Sequence, residues 1–295
     1  KKTYKLTCKV KVKAKKTVVA SSLKDTYAKI VPYMGTCLNY GSASNPRELQ
    51  NASTMKFVKK QYNSFTLENE MKPDAILGSS AKLISVADAK KKGYYIPAGY
   101  TESTVPELAF TTVDKSLEAA KNNGLKMRAH TLVWHSQTPS WFFTKNYDGS
   151  KVVTPAVMDA RLDFYIHNVM GHVMDKEKAL TGSAGSIVYA WDVVNEYLHR
   201  PSFAFFKTWT SVYGDMGNSP SYVKKAFEIA YDMLKSYQAT DKVTLFYNDY
   251  NTYFGVKDTL NLVEFINKGE TAKICGGIGM QSHVDVKVPT VAEYG

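Results

Sequence analysis

A glutamate stands where an apolar run stops. In "SIVYAWDVVNEYLH", residues 186–199, a stretch of strand type gives way to Asn195, Glu196 and then His199. A carboxylate at the mouth of a buried strand is placed to pass a proton to a bound molecule, provided that its surroundings raise its pKa, as neutral aromatic and amide neighbours beside a second carboxylate would. The plainer role for Glu196 is to compensate a helix dipole from the first turn of a following helix. Other apolar runs end in the same way. Glu68 and Asn69 close "NSFTLEN", His130 and Trp134 lie in "LKMRAHTLVWH", Asn248 and Tyr250 follow "VTLFY", and Gln281 and His283 follow "CGGIGM". Amides, carboxylates, imidazoles and an indole gathered together suit a ligand with many hydroxyls and apolar ring faces, and a sugar has both. A phosphate would want a glycine-rich nest or an arginine cluster, and a metal would want His and carboxylates at short spacing. Neither pattern is visible, so no metal and no cofactor is expected.

The elements that must hold these residues alternate. Residues 32–39, 63–69, 125–135, 186–196, 243–251 and 275–284 are short, largely apolar runs bounded by polar residues or glycine, and they read as buried parallel strands. Between them, "VDKSLEAAKNNG", "SYVKKAFEIAYDMLKSYQ" and "TLNLVEFINKG" carry helical periodicity, the first and last ending on Gly124 and Gly269. An α/β fold of repeated βα units follows, either a doubly wound sheet or a parallel barrel. No G-x-G-x-x-G or phosphate loop favours the first. Polar residues at the ends of five successive strands favour a (β/α)8 TIM barrel, whose active sites lie on that rim.

The 295 residues carry a net charge of +11, but eight lysines of the excess sit within residues 1–16, where Leu6, Cys8, Val10 and Val12 alternate with polar neighbours as in a strand with one wet face. No nucleic-acid partner is inferred from that charge. No run approaches membrane-spanning length, and Cys8, Cys37 and Cys275 are too scattered for a zinc site or a disulfide framework, so they read as small buried residues. Residues 1–22 are taken as a lysine-rich strand and linker left from an upstream module, and 23–295 as the barrel. The chain opens on Lys1 and not Met, which leaves room for a lost signal peptide.

The segments "ENEMKPD" (68–74), "HTLVWHSQTPSW" (130–141), "WDVVNE" (191–196), "NDYN" (248–251) and "GIGMQSH" (277–283) closely resemble, in order and spacing, glycoside hydrolase family ten, the β-1,4-xylanases. The resemblance implies a retaining endo-hydrolase on a (β/α)8 barrel, acting on xylan and xylo-oligosaccharides, secreted to reach its polymer, and often joined to a carbohydrate-binding module. It makes Glu196 the general acid/base. Asn195 would bind the C2 hydroxyl of the sugar beside the cut, and Glu68, Asn69 and Lys72 the next sugar toward the non-reducing end. His130, Trp134 and Gln137 would line the same side. Asn248 is expected to bind substrate, and Tyr250, Gln281 and His283 to surround the catalytic pair, with Gln281 and His283 positioning the nucleophile.

A retaining glycosidase needs two carboxylates roughly 5 Å apart. In the family the second lies on the seventh strand, in a Thr-Glu-Leu-Asp-like motif, and only about six βα units are expected before this sequence ends at "VPTVAEYG". Glu102, in the only Thr-Glu pair, precedes the third strand, and Glu293 falls in the sixth crossover helix, so neither is expected to serve. The expectation is a catalytic barrel cut short at its C-terminal side, inactive as it stands, with the nucleophile glutamate beyond residue 295; a barrel relic that binds sugars without cleaving them is the alternative. Residues 77–110 form a longer connection than a minimal barrel needs, and its tyrosines either extend the cleft or pack on the rim. The aromatic segment 197–214 is a source of groups for the leaving-group side.

Overall fold

The computed structural model describes residues 22–201 and 207–294; the lysine-rich strand expected over residues 1–16 lies outside them. The elements run α1 (Leu23–Tyr27), β1 (Gly35–Leu38), α2 (Ala52–Gln61), β2 (Ser64–Leu67), α3 (Pro73–Leu77), β3 (Leu83–Ser85), α4 (Val86–Lys91), β4 (Thr104–Pro106), α5 (Thr111–Asn123) and β5 (Lys126–Trp134). They continue with α6 (Pro155–Thr181), β6 (Val188–Asn195), α7 (Trp209–Tyr213), α8 (Ser221–Ser236), β7 (Thr244–Asp249), α9 (Val256–Asn267), β8 (Gly277–Met280) and α10 (Val291–Tyr294).

Each of the six runs expected to be a strand contains one, and all neighbours pair parallel in the order β1-β2-β5-β6-β7-β8. This curled parallel sheet is six strands of a (β/α)8 barrel. Burial explains the composition: along β6 every residue but Tyr189 is buried, because helices cover the outer face and the side chains of the barrel interior the inner one. Two strand edges stay open among the described residues, at β1 and β8. Cys37 shows the consequence. It was expected to be buried like Cys275, but it lies exposed on β1, which has a neighbour on one side alone.

The helices end where their chemistry stops them. Gly124 takes the left-handed conformation, φ 65°, and its N–H closes α5 on Ala120 and Lys121. Thr154 and Pro155 open α6 as N-cap and first helical residue. This helix and α8 pack against each other: Gly171 faces the Met233 side chain, and Lys225 Nζ meets Asp159 Oδ2 at 2.6 Å.

The long 77–110 connection is a two-stranded antiparallel hairpin, β3 with β4, enclosing α4. Its tyrosines pack on the outer helix α6. Tyr95 stacks on His167 with 4.1 Å between ring centres, and Tyr94 and Tyr100 both lean on Phe164. The connection is also fastened through charge. Arg161, fully buried, donates from Nε to Glu102 at 2.7 Å and from Nη1 to the Phe142 carbonyl at 2.6 Å. Glu102 thus has a structural partner, and Glu293 accepts from Thr290 at the start of α10.

Candidate active site

The register brings the site together. Trp134 on β5 pairs with Asn195 on β6, Asn195 with Asn248 on β7, and Asn248 with Gly279 on β8, so one lateral row crosses four strands at their carboxyl ends. Gly279 leaves room there for two side-chain ends. A Cβ on it would come 2.3 Å from both Asn248 Oδ1 and Arg128 Nη2, closer than real contacts allow. The amide of Asn195, buried, lies 2.8 Å from that of Asn248 and 3.0 Å from that of Gln281.

Glu196 follows directly. Its φ of 57° is in the left-handed region, unusual for a residue with a side chain and characteristic of functional positions. The backbone is held there by its N–H, which donates to the Asn248 carbonyl at 2.8 Å. Its carboxylate is aimed by two neutral donors. Trp134 Nε1 donates to Oε2 and Gln281 Nε2 to Oε1, each at 2.8 Å. Glu196 belongs to no helix, which removes the dipole-compensating role.

On the side of β2 and β5, Lys72 Nζ donates to Asn69 Oδ1 at 2.9 Å and to Gln137 Oε1 at 2.8 Å, and stands 5.1 Å from the centre of the Trp134 ring. Partial burial pulls its pKa down, against the upward pull of Asp74 and Glu68. Gln137 in turn donates to Asn69 Oδ1 at 3.2 Å. Glu68 accepts from Asn39 Nδ2 at 2.9 Å. Below the row, His130 Nδ1 and Asp192 Oδ2 are 2.9 Å apart, and Arg128 donates to Asp192 Oδ1 through Nε at 3.0 Å and Nη2 at 2.6 Å.

On the other side, His283 Nε2 lies 3.0 Å from Gln281 Oε1, and Tyr250 meets the His283 ring edge to face at 6.5 Å. All the residues singled out in the sequence therefore stand on one rim. Eleven of the twelve join through successive contacts, His130 through its ring beside Trp134 at 6.4 Å; Glu68 is held apart by Asn39, at the β1 end. Gln281 spends its amide on Glu196 itself, because the register puts the end of β8 within reach of β6 across Asn248.

Sequence reasoning assigned no part to Asn39, Arg128, Asp192, His199 or Asp249. Asp192 lies inside the quoted "WDVVNE", and its burial among apolar strand residues was the available signal. The aromatic segment after Glu196 divides. Tyr197 and Trp209 are buried, Trp209 stacks on Tyr222 at 5.0 Å and donates to the Trp134 carbonyl at 3.1 Å, so these two support the site from behind. Residues 202–206 lie outside the described ones. Among the described residues no group of three or more His, Cys, Asp or Glu could hold a metal ion.

Comparison with known proteins points to one family. The sequence model of glycosyl hydrolase family 10 matches residues 22–295. Endo-1,4-beta-xylanase A of Butyrivibrio fibrisolvens is 46% identical over 275 residues, which cover 92% of this chain and 62% of that protein. Endo-1,4-beta-xylanase B of the same organism is 37% identical over 255 residues, 86% of this chain and 35% of its own length. The chain thus spans less than two thirds of these curated relatives. Among solved structures, the CBM22-1–GH10 modules of a Clostridium thermocellum endo-1,4-beta-D-xylanase, complexed with xylohexaose, superpose with a TM-score of 0.66 at 31% identity, covering 92% of this chain and 48% of that one. A mutant of an intracellular xylanase from Thermoanaerobacterium saccharolyticum, complexed with xylotetraose, gives 0.66 at 26% identity, covering 94% and 71%.

Proposed function

The chain belongs to glycosyl hydrolase family 10, and from that premise we propose that it is the acid/base half of an endo-β-1,4-xylanase that cuts within xylan chains with retention of configuration. One observation carries the reading: Glu196, on a strained backbone at the end of β6, has both carboxylate oxygens fixed by Trp134 and Gln281. A carboxyl group so aimed can protonate the glycosidic oxygen as the bond breaks and later take a proton from water. Asn195, in the adjoining position, binds the C2 hydroxyl of the sugar beside the cut. Lys72, Asn69 and Gln137 bind the next sugar toward the non-reducing end with Trp134 as its wall, Glu68 and His130 extend that side, and Asn248, Tyr250 and His283 line the other.

The attacking carboxylate remains to be placed. The two buried aspartates of the network are committed, Asp192 to Arg128 and His130, and Asp249 to Tyr247 and His199. We therefore assign the nucleophile, with the family, to the seventh barrel strand, about 5 Å from Glu196. Xylan is too large to cross a membrane, so the working site proposed is outside the cell, with a carbohydrate-binding module as a companion domain.

Expressed from its full reading frame, the protein is expected to release reducing xylo-oligosaccharides from xylan, with the β-anomer appearing first in proton NMR. Initial release of the α-anomer would overturn retention. Xylohexaose binding without release would favour the sugar-binding relic, and recovery of all activity from washed cells after lysis alone would overturn the location.

A further inference from the structure

His199 is three residues past Glu196, and its surroundings are those of a binding group. Its N–H closes a turn on the Glu196 carbonyl at 3.2 Å, so the two residues move as one piece of backbone. Its Nδ1 lies 2.7 Å from Asp249 Oδ1, and Asp249 is buried, 1% exposed, with its remaining bonds made to the Tyr247 hydroxyl and the Tyr250 N–H. A buried carboxylate behind one ring nitrogen fixes the tautomer and leaves the other nitrogen as an acceptor in the neutral ring. That Nε2 meets no partner among the described residues, although a third of the side chain is exposed. The ring itself stacks on Tyr250, 3.9 Å between centres and 27° between planes.

The sheet order says which side of the cut this is. Lys72, Asn69 and Gln137 belong to the β2 and β5 side of Glu196, whereas His199 and Tyr250 lie on the β6–β7 side. We propose that His199 is a specificity-determining residue for the leaving-group side: its Nε2 accepts a hydroxyl of the departing sugar, and the stacked imidazole and phenol form the slab against which that sugar rests. The inference rests on the xylanase reading and names a contact that reading leaves open.

The test compares two substrates of the full-length protein. Xylan places a sugar on the leaving side; an aryl xylobioside places a phenol there. His199→Ala is expected to lower kcat/KM on xylan about tenfold more than on the aryl substrate, the effect of one lost hydrogen bond with its packing. His199→Asn separates binding from propping, because its amide can still reach Asp249 and offers nothing at Nε2. If it behaves as the alanine variant, the contact stands. Equal losses on both substrates, or full recovery by asparagine, would overturn it. Should the wild type cleave neither substrate, the xylanase reading fails on its own, and titration with xylohexaose then judges His199: both variants must weaken binding alike.

Discussion

The two flanks of Glu196 are built by opposite means. On the β2–β5 flank the parts are long polar side chains on loops, Lys72, Asn69 and Gln137, joined at 2.8–3.2 Å and partly open to water. On the β6–β8 flank the parts are packed: a glycine with two side-chain ends over it, two buried amides, and a buried aspartate behind an imidazole. The first flank tolerates adjustment, since its members can reach further. The second depends on shape, so a single added carbon is felt across three strands.

The largest effect is expected where the flanks meet. Glu196→Gln keeps the volume and removes the acid, so hydrolysis of xylan should fall by roughly 10² to 10⁴. An aryl glycoside with a good leaving group needs less protonation and should lose much less in the glycosylation step. Equal losses in that step, resolved by pre-steady-state kinetics, would remove the acid/base assignment and with it the meaning of the comparison.

On the open flank, Lys72→Ala deletes the donor shared by Asn69 and Gln137 and the cation near the Trp134 ring. Bonds from a charged donor of this kind are worth about 1.5–3 kcal/mol, so xylan hydrolysis should slow by about 10- to 100-fold. The loss should appear in kcat as well as KM, because binding one sugar away helps to distort the reacting ring. A pure KM change would show that this flank only holds substrate.

On the packed flank, Gly279→Ala must move the side-chain ends of both Asn248 and Arg128, each 2.3 Å from the new carbon. Overpacking of this sort costs about 1–3 kcal/mol. The melting temperature should fall, and kcat with it, because Asn248 carries Asn195 and the Glu196 backbone. An unchanged melting temperature with normal kcat would mean the packed flank yields as easily as the open one.

The same contrast decides what was legible in the sequence. Polar residues at strand ends announce themselves, because a Gln or Lys after an apolar run has no packing reason to be there; hence the polar positions of the open flank, the six parallel strands and the place of Glu196 could all be read. Asp249 could not be separated from an ordinary turn residue in "NDYN", and Gly279 is one of eighteen glycines until the register sets it beside Asn248. Cys37 was misread for a related reason: strand periodicity says which way a side chain points, but not whether its strand lies at a sheet edge.

The smallest effect belongs to a region that touches neither flank. Tyr100, in the 77–110 connection, donates to the Thr104 carbonyl at 2.8 Å and shares a bond with the buried Tyr147 hydroxyl. Tyr147 also lies under the Arg161 guanidinium, 3.7 Å from its ring centre, so this contact ties the hairpin to α6 and to the turn that follows the Trp134 loop. Burial holds both phenols well above their ordinary pKa, and they stay protonated hydrogen-bonding groups throughout the working range. Tyr100→Phe removes one hydroxyl and leaves the ring in place against Phe164. Stability should fall by about 1 kcal/mol in chemical denaturation, with kcat and KM on xylan unchanged. A drop in kcat at full occupancy of the folded state would show that the connection, though it packs on the outer helix, tunes the site through the Trp134 loop, and the division between site and support would have to be redrawn.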